Sequence, residues 1–135
     1  MNLEREKNFI CHSNEDSKIA KWLTNKLNRD NLGVWVDHCD IQPSQSFVEK
    51  INSALNSCNV FILLWSKSAE RSEWCKIEWT TAFALKKPIV PILLDDTELP
   101  AVLRRIHYID FRYTKDNYYL LRNFLKQPLA NLQLL

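Results

Sequence analysis

The stretch Val60-Phe61-Ile62-Leu63-Leu64-Trp65 is apolar at every position. A strand with one wet face alternates apolar and polar residues, so an unbroken apolar run of this length reads as a strand covered on both faces. Such a strand belongs in the middle of a parallel sheet flanked by helices. Upstream of it, Phe47, Ile51 and Leu55 recur every four residues, which predicts a helix stopping near Ser57. Downstream, 66–72 is a polar connection and 73–85 is expected to be helical. Lys86 and Lys87 suit the negative end of that helix, and Pro88 stops it.

Further out, the same alternation repeats. Phe9-Ile10-Cys11 is a short buried strand. It runs into His12-Ser13-Asn14-Glu15-Asp16, where Ser13 or Asn14 can cap a helix and the two acids suit its positive end. Ile19, Trp22, Leu23 and Leu27 carry that helix. Asn31-Leu32-Gly33 breaks it, with Gly33 expected in the left-handed cap conformation. Val34-Trp35-Val36 is a second strand, followed by a loop over 37–46 that contains Pro43. The run 89–94 is another buried strand, and Pro91 inside it points to a strand start or an edge. A loop over 95–100 and a short turn over 101–106 lead to a last strand at 108–111. Tyr118, Leu121, Leu125 and Leu129 mark a final helix, interrupted by Pro128.

Strand and helix alternating about five times predict an α/β protein. The expected architecture is a flavodoxin-like three-layer fold, a five-stranded mainly parallel sheet with helices on both faces. One domain is expected over 8–135, preceded by a flexible segment at 1–7. In such sheets ligands bind outside the carboxyl ends of the strands, which directs attention to the loops 12–16, 37–46, 66–72 and 95–100.

Composition narrows the function classes. A chain 46% hydrophobic and 25% charged can build a core and is not of the disordered type. A net charge of +2 gives no electrostatic case for a nucleic-acid or membrane partner. No apolar run is long enough to span a bilayer, and 1–7 lacks the apolar core of a secretory signal. Reduced thiols at Cys11, Cys39, Cys58 and Cys75, with no CxxC pair, fit a cytoplasmic protein. The pairs Cys11-His12 and His38-Cys39 lack zinc-ligand spacing, so no metal is expected. Gly33 is the only glycine, which excludes a P-loop and a GxGxxG fingerprint. Nucleotide chemistry here needs another kind of pocket.

Ser72-Glu73-Trp74-Cys75-Lys76-Ile77-Glu78-Trp79 is the segment richest in chemistry. Trp74 and Glu78 stand four apart on the expected helix and share a face near its start. A carboxylate beside an indole can grip a sugar while the ring stacks on a base or a pyridinium. On spacing alone the plainer reading, a core Trp74 and a solvated Glu78, stands beside this one. Trp65 and Trp79 read as packing residues, and Lys86-Lys87 as a solvated helix end.

Four segments together resemble the TIR domain family. Phe9-Ile10-Cys11-His12-Ser13 is similar to its opening FISYS box, with Cys11 in place of serine and His12 in place of tyrosine. Trp35-Val36-Asp37, then Ile41-Gln42-Pro43-Ser44, resembles its second strand and BB loop, with Ser44 where glycine is common. The span 68–78 is similar to its S…S.WC..E segment, and Pro88-Ile89-Val90-Pro91-Ile92 to its fourth-strand box. The resemblance covers residues 7–112 or so.

This resemblance implies an NAD+-consuming enzyme that cleaves the nicotinamide–ribose bond. The products would be nicotinamide and either ADP-ribose or a cyclic isomer, in immune or antiphage defence signalling. It implies Glu78 as the catalytic residue, with Cys11, His12, Ser13, Asp37, Phe47 and Trp74 binding substrate. NAD+ would be the substrate, with no further cofactor. Self-association through the BB-loop residues Ile41, Gln42, Pro43 and Ser44, in filaments if the contact does not close, is the implied partner contact. A separate or fused sensor module would supply the trigger. The alternative is a non-enzymatic adaptor acting through TIR–TIR contacts. A pathogen effector that mimics host domains is a third reading, and nothing in the residues selects it over a defence role.

Overall fold

Every side chain of Val60–Trp65 is buried, and that strand does occupy the middle of the sheet. The structure is a computed structural model that describes residues 8–36 and 45–128. Its strands are β1 (Asn8–Cys11), β2 (Val34–Val36), β3 (Val60–Trp65), β4 (Ile89–Leu93) and β5 (Ile109–Asp110). They are all parallel, in the order β2-β1-β3-β4-β5. The helices are α1 (Ser17–Arg29), α2 (Gln45–Ser57), α3 (Lys67–Glu70), α4 (Glu73–Ala84) and α5 (Tyr118–Leu125). This is the expected flavodoxin-like α/β fold, with its topological switch between β1 and β3.

The helices divide between the faces as right-handed crossovers demand. The chain steps from β1 to β2 in one direction and from β2 to β3 to β4 in the other. Hence α1 lies on one face, while α2 and α4 lie on the opposite one. Leu23 and Leu27 of α1, with Leu121 and Leu125 of α5, pack on Ile10, Ile62, Leu64 and Ile92. Ile51 and Leu55 of α2, Ala69 of α3, and Cys75, Trp79 and Ala82 of α4 pack on Phe9, Cys11, Phe61 and Leu63. Trp35, Phe9 and Phe61 face one another across β2, β1 and β3 and stack at 5.0 and 5.3 Å. Each such pair adds about 0.5–1.5 kcal/mol beyond its area burial.

Several expectations need correction. Asn31, not Gly33, takes the left-handed conformation after α1, at φ 61°. Asparagine tolerates that region, and Gly33 instead offers its carbonyl to both the backbone N–H and the Nδ2 of Asn8. The short turn expected over 101–106 is present, as a 3-10 turn at Ala101–Leu103. The connection 66–72 holds the one-turn helix α3, capped by the Ser66 hydroxyl accepting from the Ala69 N–H at 3.1 Å. Residues 45 and 46 open α2 rather than closing a loop. Lys87 is half-buried rather than free in solvent: its ammonium donates to the carbonyls of Asn56 and Cys58 at the end of α2. Burial pushes the Cys58 thiol up to about 11, against the opposing pull of Lys87.

Pro91 sits inside β4, opposite Leu63 of β3. The bonds Leu94 N–H to Trp65 O and Phe111 N–H to Leu93 O show that odd-numbered residues of β4 turn toward β5. β5 begins pairing only at Ile92, so proline's missing N–H costs the ladder nothing. The expectation of a strand start or edge thus holds locally, on one side of the strand only.

Candidate functional site

The carboxyl ends of β1 and β3 lie side by side, and the segments that follow them meet there. Cys11, the last residue of β1, is fully buried toward the α4 layer. His12 and Ser13 are buried as well. His12 Nδ1 lies 2.7 Å from the Ser13 carbonyl oxygen, a group that can only accept.

Ser13 does not cap a helix through its side chain, and neither does Asp16 at the start of α1. Both side chains turn toward the loop after β3. Asp16 Oδ2 accepts from the hydroxyls of Ser13 at 2.9 Å, Ser66 at 2.5 Å and Ser68 at 3.1 Å. Ser68 Oγ is also 2.7 Å from Ser13 Oγ and 2.9 Å from Ser66 Oγ. A carboxylate and three hydroxyls thus tie two loops together at the switch point.

α4 rises from this rim. Ser72 caps it, its hydroxyl accepting from the Cys75 N–H at 3.1 Å, and Glu73 in the first turn suits the positive end. Cys75, Glu78, Trp79 and Ala82 form its buried stripe. Glu78 is the only charged residue in that stripe, and none of its surface reaches solvent. The plainer reading of Glu78 as a solvated acid therefore fails. Trp74, one turn earlier, is half-buried and packs on the same layer. At 1.5 Å per residue, Glu78 stands about 7.5 Å below the rim where α4 begins. Trp65 and Trp79 are packing residues, as expected, and Trp65 also donates its indole N–H to the Glu98 carbonyl. A cleft of about 260 Å³ beside α4 is walled by Trp65, Trp79, Glu70, Lys76, Glu98 and Arg104. Glu78 and Trp74 do not line it.

Cys11, His12 and Ser13 thus lie at the carboxyl end of β1 and Trp74 in the first turn of α4, while Glu78 lies a turn further along that helix on its buried stripe. Phe47 falls in the first turn of α2, and its side chain is outside the described part. Asp37, the BB-loop residues Ile41, Gln42, Pro43 and Ser44, the thiol Cys39 and the segment 1–7 lie outside the described residues, as does Leu129. Among the described residues no three His, Cys, Asp or Glu side chains converge as a metal site would require, and no helix is long and apolar enough to cross a membrane. Asp16, Ser66 and Ser68 escaped the sequence reading. Their signal, Ser-x-x-Asp after one strand and Ser-x-Ser after another, is too short to stand out alone.

With this geometry in place, comparison with known proteins is decisive on one point. The family model described as TIR domain matches residues 9–122. The chain belongs to the TIR domain family. This TIR domain is 32% identical, over 89 residues covering 64% of its length, to a protein of Brachypodium distachyon named "Probable 2' cyclic ADP-D-ribose synthase BdTIR". It spans 40% of that relative's length. Its fold matches the TIR domain of the Toll-related receptor TRR-2 from Hydra magnipapillata, with a TM-score of 0.74, 23% identity and coverage of 95% of this chain and 98% of that one. It also matches the Clostridium botulinum CMP N-glycosidase BcmB, with a TM-score of 0.60, 22% identity and coverage of 86% and 96%.

Proposed function

We propose that this TIR domain cleaves the nicotinamide–ribose bond of NAD+, with the Glu78 carboxylate acting at the ribose. The observation that carries this reading is the placement of Glu78. It is the one acid on the buried stripe of α4, a turn after Trp74, on a helix that starts from the loop rim where ligands of this fold bind. Taking a carboxylate out of water costs free energy that an apolar residue at the same place would not.

The chemistry suits a single acid. Nicotinamide in NAD+ is a cationic pyridinium. When the C1′–N bond breaks, its electron pair neutralises the ring nitrogen, so the leaving group needs no proton donor. Ordinary glycosidases, by contrast, must protonate a leaving oxygen. What remains is an oxocarbenium-like ribose, which a buried carboxylate stabilises strongly because the surroundings screen it poorly. Water adding at C1′ and losing a proton yields ADP-ribose. A hydroxyl of the same molecule adding there yields a cyclic isomer, the product class in the name of the Brachypodium relative. The half-buried Trp74 indole is placed to stack on a planar ring. We place the activity in defence signalling, in the cytoplasm, under a sensor on another domain or protein.

The test is incubation of purified protein with NAD+ and mass spectrometry of the products. Nicotinamide should appear together with ADP-ribose or a cyclic isomer. Glu78→Gln should lower the rate about a hundredfold or more while circular dichroism shows an intact fold. Absence of nicotinamide at high protein concentration, or full activity in Glu78→Gln, sinks the assignment. One observation favours the second reading, a non-enzymatic module working through TIR–TIR contacts. Glu78 is wholly shielded from solvent in this conformation, so substrate reaches it only after something moves.

A further inference from the structure

We infer that Asp16 is a positioning residue of this site. Its carboxylate clamps the loop after β1 to the turn after β3, and through that turn it fixes where α4 begins. The inference rests on the NAD+-cleaving reading above. It goes beyond that reading because Asp16 need not touch the substrate.

The geometry is specific. Asp16 Oδ2 takes hydroxyl bonds from Ser13 on its own loop and from Ser66 and Ser68 on the other. Hydrogen bonds to an ionised acceptor are about twice as strong as neutral ones. Ser13 and Ser66 are buried, so losing the acceptor leaves their hydroxyls to share Ser68 Oγ alone, where water does not readily reach. Ser66 also caps α3. α3 ends at Glu70, and the chain then turns into Ser72, the cap of α4. Anchoring Ser66 therefore anchors the start of the helix that carries Trp74 and Glu78. The same carboxylate holds the Ser13 hydroxyl, next to His12 on the other wall of the rim. A displacement of about 1 Å in a catalytic group can cost about a hundredfold in rate, so a clamp at this point acts on the chemistry from outside it.

An acid just before α1 has another possible task, to complement the positive end of that helix. Two substitutions separate the tasks. Asp16→Asn keeps an acceptor oxygen at the same reach but loses the charge. Asp16→Glu keeps the charge but carries the oxygen one methylene too far. The clamp predicts that Asp16→Ala lowers kcat for NAD+ about tenfold or more with KM little changed. Asp16→Asn should recover part of the loss and Asp16→Glu should not. A helix-end role predicts the reverse order for the last two.

Hydrogen exchange reads the clamp without catalysis. In Asp16→Ala the amides of 12–16 and 66–72 should both exchange faster, and Ser66→Ala should speed exchange in 12–16. Loosening confined to the start of α1, or full activity in Asp16→Glu with loss in Asp16→Asn, overturns the clamp. Coupled loosening with kcat unchanged overturns the positioning role. If the wild-type protein releases no nicotinamide, the NAD+ reading fails on its own account and the positioning role for that reaction falls with it, while the exchange data still decide the clamp.

Discussion

Glu78, Asp16 and Asp110 are three carboxylates whose surroundings set them to different tasks. Glu78 has been taken out of water on the inner stripe of a helix. Asp110, at the end of β5, is gripped by Arg112, whose Nε reaches Oδ1 and Nη2 reaches Oδ2, each at 2.9 Å. The side-chain bonds from Arg112, then its backbone N–H, hold the Asp110 carboxyl below the usual carboxylate range. A depressed folded-state pKa gives stability that is fully present above the unfolded value, about 3.9. It is lost as pH falls through the folded value. Wild type should therefore lose more stability than Asp110→Asn when urea midpoints at pH 5 and pH 3 are compared, and added salt should shrink the difference. Equal losses would show that the pair contributes nothing. Of these acids, only Glu78 was legible in the sequence as a site residue, and only through its motif, since four-residue spacing equally fits a solvated face. Asp16 looked like an ordinary helix-end acid because its decisive partners, Ser66 and Ser68, are remote in sequence.

At the scale of elements, the long apolar runs were legible because burial on both faces leaves no room for polar positions. β3 matches its predicted bounds to the residue. Short features were obscured where one residue serves two structures. Ser66 both follows a strand directly and caps α3, and Lys87 follows one helix but closes another. The end of α4 shows the same division. The Lys87 N–H bonds to the Ala82 carbonyl and the Lys86 N–H to that of Phe83. This is the bond pattern of a Schellman cap, and it places Lys86 at φ 62°. A side chain with a Cβ pays for that conformation, and glycine does not. Lys86→Gly should raise stability by about 0.5–1 kcal/mol in urea unfolding, the strain relieved exceeding the extra entropy of the unfolded chain. Lys86→Ala, which keeps the Cβ, should give no such gain. A destabilised glycine variant would mean that the Lys86 side chain contributes more than its backbone costs.

For the molecule as a whole, the proposed function requires a shielded acid to meet a dinucleotide. In this conformation Glu78 has no exposed surface, so under the proposed function the competent state is a different one, populated to some fraction. Activity measured on the isolated chain scales with that fraction, and whatever binds the open state preferentially raises it. A second copy of the chain is the simplest such partner, consistent with the TIR–TIR contacts proposed for the alternative reading. The expected result is nicotinamide release per mole of protein that climbs with protein concentration, in step with assembly followed by sedimentation. Charge placed in the BB loop, as in Ile41→Asp, should lower both together, because desolvating an unpaired carboxylate at a contact is costly. Forced crowding should raise the wild-type rate and leave Glu78→Gln inactive. A rate per mole that stays flat across the concentration range would place the opening within the single chain. Assembly without any nicotinamide release would leave this TIR domain as a contact module, with the acid on α4 serving the fold.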